Sequence, residues 1–591
     1  MYRAPLREMR FVLEELLGSG RLGASPHLPD YSDELAQSVL EEAARFAENV
    51  LEPLNRPGDV AGARWTEQGV VAAPGFAEAY RQFVAGGWPA LGGNPEFGGQ
   101  PVPRVLVTAV SEFWGSANLA FKLGPMLTQG AAHALELCGS PAQKSLYLAK
   151  LVSGEWTGTM VLTEPQAGSD LGQVRTRAAP EADHYRLSGQ KIFITWGDHD
   201  LTPNTLHMVL GRIDGAPAGV KGISLFIVSK FLVNPDGSLG ARNEVRCLSI
   251  EHKLGIHASP TCVLAFGERD GAIAHLVGEP GRGLEYMFVM MNSARLSVAS
   301  EGYAVGERAF QRALEWARTR IQGKPPVAAP SGPLPIIHHP DVKRMLLLMK
   351  AQTEASRALT LYTAFQFDLA EHGADAQARA AAHARGELLT PIIKGWCTEI
   401  GNEVASLGVQ VHGGMGYIEE TGAAQYMRDV RITTIYEGTT GIQSNDLIGR
   451  KLGRDRGAAM LAFIADMQRE LQAPVGDEDV EAIRRAALEA VDSLARATQA
   501  LLQTLATHPD VGMAVSVPYL KLCGHAGGGW LLARAAVLAV AKRAGPESEF
   551  YRAKIRTAAF YAAQVLPLAA ALARIVCTGG ASVVATDAAL V

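Results

Sequence analysis

The chain has 591 residues, 48% of them hydrophobic and 19% charged, with a formal net charge of −5. That length exceeds what one hydrophobic core organises, so three or four domains of about 50–250 residues are expected, and the acidic balance argues against a nucleic-acid surface. The six cysteines (138, 247, 262, 397, 523 and 577) are scattered and form no CxxC pair, which excludes a zinc-finger or disulfide framework and fits free thiols in a reducing cytoplasm.

The first segment, Tyr2–Gly18, carries charges throughout and lacks the apolar h-region of a signal peptide; residues 1–34 read as an N-terminal extension. Residues 35–156 read as a helical domain. Leu35, Val39, Ala43, Phe46 and Val50 recur at helical spacing behind Ser32 and Asp33, which can cap. A Gly/Pro-rich loop follows at Trp88–Pro101. From 157 to 272 the texture changes to short β-branched runs (WTGTMVLT, YRLSGQKIFIT, LHMVLGRI, GISLFIV, TCVLAF) separated by Gly, Pro, Asp and Asn. These are strand signals and predict an antiparallel β domain. Amphipathic helices return over 280–452, interrupted by the Pro-rich loop Gly323–Pro335. A further helical block, 465–591, shows one apolar face at Val480, Ile483, Ala487, Val491, Leu494, Ala497, Leu501 and Leu505. GHAGGGW (Gly524–Trp530) reads as the hinge before two more helices. The uncharged stretch Thr557–Ala573 holds Gln564 and Pro567 and falls short of a membrane span, so it reads as a buried helix. The fold class is α+β: mainly helical with a β middle domain.

Four segments carry chemistry. MVLTEPQAGSD (160–170) leaves a strand and turns through Gly168, Ser169 and Asp170, where backbone N–H groups can approach a phosphate. QKIFITWG (190–197) offers an aromatic, Phe193, and a hydroxyl, Thr195, to a flat ring. GVQVHGGMGYIEE (408–420) clusters Gly413, Gly414 and Gly416 beside a helix, as close approach to a nucleotide requires. In RDVRITTIYEGTTGIQ (428–443), Glu437 follows an apolar run; a desolvated carboxylate has the raised pKa that proton abstraction beside a carbonyl needs. Taken singly, each also suits ordinary turns, strands and caps.

In this order and context the four segments resemble the acyl-CoA dehydrogenase family over residues 35–452. The resemblance implies a helical N-terminal domain, a β domain and a four-helix bundle, with FAD as cofactor. By motif match, Leu162, Thr163, Gly168 and Ser169 line flavin and pyrophosphate, and Thr195 bonds the flavin ring. Phe193 stands where many relatives place a tryptophan. Arg320 resembles the arginine reaching the partner subunit's FAD. Gln410 and Gly414 resemble the residues that receive the ADP half from the other subunit, and Thr439 a further flavin contact. Glu437 is the implied base, removing the α-proton of an acyl-CoA while flavin N5 takes the β-hydride, to give a trans-2-enoyl-CoA. Its backbone N–H is the implied partner of the thioester oxygen. Ser169, Arg295, Tyr436 and Gly438 are the implied substrate-side residues. Some relatives carry the base on an earlier helix, but Ala294 stands at that position here. Arg295 beside it resembles an arginine that positions the base, or else is a helix-surface charge.

Both chain ends resemble a long bacterial branch that includes 3-methylthiopropanoyl-CoA and broad-chain fatty acyl-CoA dehydrogenases. This implies a homodimer; the family resemblance implies electron transfer to an electron-transfer flavoprotein, and no membrane span is expected from the apolar runs. The rivals are an acyl-CoA oxidase using O2 and a DNA-associated alkylation-response flavoprotein of the same fold. The latter should have a basic extension, yet residues 465–591 hold 12 Lys+Arg and 12 Asp+Glu. Acyl-chain length and branching stay open.

Overall fold

The computed structural model describes residues 1–324 and 333–591; most of the Pro-rich run 323–335 lies outside the described residues. The chain divides into two compact units. One comprises Met1–Ala44, Pro103–Ser116 and Val298–Val591; the other comprises Arg45–Val102 and Ala117–Ser297.

The second unit is built on an eight-stranded sheet: β1 (Thr157–Val161), β2 (Arg177–Glu181), β3 (His184–Thr195), β4 (Thr205–Ile213), β5 (Ile223–Ser229), β6 (Val245–Ile250), β7 (Thr261–Phe266) and β8 (Ala272–Val277). The order is β6-β7-β3-β8-β5-β4-β1, and β2 pairs with both β3 and β4. That double pairing closes a ring β3-β8-β5-β4-β2, filled by Ala178, Leu187, Val209, Phe226 and Ala274. The expected antiparallel domain is a mixed one: β1 and β2 run parallel to β4. Parallel pairing needs a crossover between strands, which strand texture alone does not reveal. β8 was also not singled out in the sequence, because AIAHLV carries a histidine among short apolar residues. Against the sheet's other face pack two helices, Leu119–Cys138 and Pro141–Val152, through Ala131, Leu148, Trp156, Leu210 and Leu225.

The first unit is helical. Ser32 Oγ accepts from Leu35 N (3.2 Å), so the expected cap opens the helix Asp33–Phe46. The long helices are α1 (Gly283–Thr319, crossing between the units), α2 (Pro340–His372) and α3 (Ala376–His412), followed by a short α4 (Thr440–Asn445). α2 starts on Pro340, which needs no N–H partner there; Asp375 caps α3 by accepting from Ala378 N (2.8 Å). In the C-terminal block, α5 (Glu478–Thr507) buries the face read from its sequence, with Leu505 only half-buried. α6 (Ser516–Val540) corrects another reading: GHAGGGW is no hinge but lies inside this helix. A Cβ on Gly524 would sit 2.2 Å from Trp396, and one on Gly528 2.9 Å from it. These glycines let α6 lie close against α3, and that packing offsets their poor helix propensity.

The stretch 557–573 is likewise not one buried helix. It spans α7 (Ser548–Gln564) and α8 (Pro567–Thr578), separated at Val565–Leu566 before Pro567, and only their inner faces are buried. The run Ser548–Thr578 is, by length and composition alone, apolar enough to cross a membrane, with mean hydropathy 1.6 and 33% of its most apolar window buried.

Candidate active site

Glu437 lies between a 3-10 turn (Arg431–Thr434) and α4. Its φ is +54° and that of Gly438 is +89°. A non-glycine residue held at positive φ costs about 1–3 kcal/mol and persists only where surrounding contacts impose it. Those contacts are explicit. Gln443 Nε2 donates to the carbonyls of Glu437 (3.1 Å) and Gly438 (3.4 Å), and Lys394 Nζ of α3 donates to the Gly438 carbonyl. Both side chains are fully buried. Thr439 Oγ1 accepts from Ile442 N (3.2 Å), capping α4. A Cβ on Gly438 would meet Gln443 Nε2 at 2.6 Å, so glycine is required on both counts.

On the other side of Glu437, the Tyr436 hydroxyl donates to the carboxylate of Glu301 on α1. Burial, reinforced by the carboxylates of Glu301 and Glu437, pushes the Tyr436 phenol well above its usual range, so it stays a donor. Glu301 lies two turns beyond Ala294 on α1. The helix that lacks a carboxylate at Ala294 thus supplies one further along, fully buried. Arg295 is 3% exposed, with its guanidinium 6.0 Å from the Phe288 ring centroid. This excludes the helix-surface alternative. Glu437 itself is half-buried.

A second cluster lies in the sheet unit. After β1 the chain runs through buried Leu162 and half-buried Thr163 to Glu164. The Glu164 carboxylate accepts from Arg175 N (2.7 Å), Thr176 N (3.0 Å), Thr176 Oγ1 (2.6 Å) and Lys191 Nζ (2.9 Å). Lys191 also donates to the Leu162 carbonyl (2.8 Å), and Ile192 N to that of Thr163 (3.0 Å). Burial alone would raise the pKa of Glu164; the Lys191 ammonium and the other donors prevail and hold it at about 2. The motif's loop is therefore fixed to β3 from below.

Above it, Phe193 is left 59% exposed at φ +60°. The register of β7 against β3 shifts between Cys262 and Leu264, so Ile192 and Phe193 together oppose Val263: a bulge that turns the ring outward. Thr195 pairs with Thr261, and Trp196 is buried with its Nε1 donating to the Ala120 carbonyl (3.2 Å). Gly168 and Ser169 are exposed, and a Cβ on Gly168 would meet nothing within 4 Å. An outward-turned aromatic ring and an open glycine backbone in the same unit fit a cofactor with a flat ring and a pyrophosphate.

The helical unit holds a third group. Exposed Arg320 has its guanidinium 5.8 Å from the Trp316 ring, and Trp316 stacks on His412 (5.2 Å, 25°). The structure thus brings Arg320 together with the segment of exposed Gln410 and Gly414, where a Cβ would again find open space. Glu164, Lys191, Lys394, Gln443 and Glu301 were not singled out from the sequence. Two of them left a signal: Lys191 and Lys394 are lone charges in apolar runs, KIFIT and LLTPIIKGW.

Known proteins match this arrangement along the whole chain. The acyl-CoA dehydrogenase N-terminal domain matches 33–155, its middle domain 159–268 and its C-terminal domain 281–452; an acetyl-CoA dehydrogenase C-terminal-like domain matches 461–587. A 3-methylmercaptopropionyl-CoA dehydrogenase of Ruegeria pomeroyi is 48% identical over 570 residues, covering 96% of each chain. A broad-specificity linear acyl-CoA dehydrogenase of Mycobacterium tuberculosis is 35% identical, again over 96% of each. A Bacillus anthracis acyl-CoA dehydrogenase solved with FAD shares the fold at TM-score 0.74 and 22% identity, over 96% of this chain and 91% of that one. The chain belongs to the acyl-CoA dehydrogenase family, in the branch with an extra C-terminal helical domain. It is an oxidoreductase acting on acyl-CoA, and its cofactor is FAD.

Proposed function

We propose that the chain dehydrogenates an acyl-CoA thioester between Cα and Cβ to the trans-2-enoyl-CoA, with Glu437 as the base. The observation that carries the reading is the clamped, left-handed loop at Glu437–Gly438. Gln443 and Lys394 hold two successive carbonyls inward, which fixes where the Glu437 carboxylate and backbone N–H can point. When bound, FAD supplies the hydride acceptor for the β-hydrogen. Leu162, Thr163, Gly168, Ser169, Phe193 and Thr195 would hold it. Arg320, Gln410 and Gly414 would hold the partner subunit's FAD.

The protein's own part is proton chemistry and alignment. The Glu437 N–H polarises the thioester carbonyl, which acidifies the α-proton, and the Glu437 carboxylate removes it. Tyr436, hydrogen-bonded to Glu301, fixes the residue just before Glu437, and Arg295 is proposed as a substrate-side residue. Exposed Met415, Tyr417 and Ile418 beside Gly414 supply apolar surface for a homodimer. An electron-transfer flavoprotein is the expected acceptor. The first thioesters to offer are 3-methylmercaptopropionyl-CoA, after the relative of that name, and short linear acyl-CoAs.

The test is anaerobic bleaching of the flavin by an accepted acyl-CoA. In Glu437→Gln, nearly isosteric but unable to accept the proton, the rate should fall by about 10⁴ or more while FAD content and the spectral shift on binding persist. Bleaching within about tenfold of the wild-type rate would show that Glu437 is not the base.

A further inference from the structure

The extra C-terminal domain touches the base-bearing segment more closely than a mere cover would need. On α4, which follows the base, Ser444 Oγ lies 3.0 Å from Ser516 Oγ at the start of α6, and Ser516 Oγ is also 3.5 Å from Asn445 Oδ1. Ser516 and Ser444 are both buried. One turn on, Leu520 fills the space in front of Gly395 of α3, where a Cβ would come within 2.8 Å of it. Gly395 adjoins Lys394, whose ammonium holds the Gly438 carbonyl. Next along α6, Lys521 Nζ is 3.5 Å from Glu399 Oε2, and the other oxygen of Glu399 accepts from Thr440 Oγ1 (2.8 Å), at the first residue of α4. The stretch Ser516–Lys521 therefore reaches both ends of α4 and the packing beneath Lys394.

We infer that α6 is a positioning element for the base, acting through Ser516 on Ser444 and through Lys521 on Glu399 and Thr440. α4 runs on without a break into a π-helical stretch, Asp446–Leu452, and its first turn, next to Glu437, is held sideways by these contacts with α6 and α3. Its N-terminus carries the turn that sets Glu437. A small rotation of α4 moves the carboxylate relative to the α-carbon, and proton abstraction is steep in that geometry. Ser516, Lys521, Ser444 and Glu399 are positioning residues; none needs to touch substrate or cofactor. The inference rests on the reading of Glu437 as the base.

The experiment is single-turnover anaerobic bleaching of the full-length holoenzyme, with ordinary and α-deuterated acyl-CoA. Rate constant and amplitude are read separately, because loss of folded protein lowers amplitude and leaves the rate constant alone. Ser516→Ala should slow the rate constant about tenfold at full amplitude, with unchanged FAD content and acyl-CoA binding shift, and with a full isotope effect on the α-position. Lys521→Met, at a half-exposed pair and unable to disturb the core, should slow it about threefold, and Lys521→Arg should restore it. Ser444→Ala combined with Ser516→Ala should slow it no further than either alone.

A slowing of more than about twofold at full amplitude in either variant supports the inference. Rate constants within about twofold of wild type in both, or lowered amplitude alone, overturn it. Glu437→Gln in the same series separates the two readings. If that variant is inert while Ser516→Ala and Lys521→Met bleach normally, only the positioning role fails. If it bleaches normally, the base assignment fails and this inference with it.

Discussion

Glu437 and Phe193 share a backbone state that most side chains avoid: both sit at positive φ, as do only four other non-glycine residues among those described. Neither strain is local in origin. At Phe193 a bulge in β3 imposes it; at Glu437 the inward pull of Gln443 and Lys394 does. Tyr436 adds the third restraint, and it is testable alone. Tyr436→Phe removes the hydroxyl and leaves the buried Glu301 carboxylate short of that donor, a loss worth about 1–3 kcal/mol. We expect a lower denaturant midpoint and slower flavin bleaching in Tyr436→Phe. Unchanged values in both assays would show that the Glu301 contact restrains nothing. The identities of Glu437, Tyr436 and Phe193 were legible because their motifs are local strings. Their conformations were not, because φ at those residues is set by Gln443, Lys394 and Val263, up to 70 residues away in sequence (Phe193 to Val263).

The strand β3 illustrates what a single element conveys and conceals. Its apolar alternation announced a strand, and KIFIT announced a face for a flat ring. The same string hid the buried pair: Lys191 is the lone charge, and its partner Glu164 sits 27 positions earlier, in another motif. Likewise GHAGGGW looked like a hinge because glycine runs usually break helices; only the Trp396 ring opposite explains why α6 continues through it. The Glu164 contacts predict a pH dependence. Its folded pKa, about 2, lies below the ordinary glutamate value of 4.5, so the unfolded chain binds the proton more readily. The stability that Glu164 contributes is therefore complete above about pH 5 and is lost as pH falls from there through about 2. Glu164→Gln should lower the urea midpoint at neutral pH, and its deficit relative to wild type should shrink across that acidic window. A deficit constant from pH 7 to 3 would mean that the side chain's charge contributes nothing.

Across the whole molecule, distant parts of the helical unit meet in a buried ionic cluster. Arg357 of α2, 1% exposed, shares its one Nε–H between both carboxylate oxygens of Glu112 of the helix Arg104–Ala117 (2.9 and 3.0 Å), and its Nη2 donates to Glu112 (2.6 Å) and to Glu307 of α1 (2.8 Å). Nearby, Lys554 of α7 bridges Glu8 (2.5 Å) and Glu354 (2.7 Å), tying the first residues of the chain to the last domain. No periodicity in the sequence marks these residues, since a Glu or Arg on an amphipathic helix reads as solvated surface; what buries them is the convergence of five separate segments. Removing one charge from such a group costs more than the pair itself is worth, because the rest stays buried and uncompensated. Arg357→Met keeps the volume but leaves Glu112 and Glu307 facing each other, where burial and mutual repulsion already raise the pKa of Glu112. We expect Arg357→Met to lose about 3–5 kcal/mol against unfolding, read as a lower denaturant midpoint. Glu112→Gln in the Arg357→Met background should recover part of that loss by removing one of the stranded charges. Equal midpoints for Arg357→Met and wild type would show that water reaches the cluster and that the helical unit is held together by apolar packing alone.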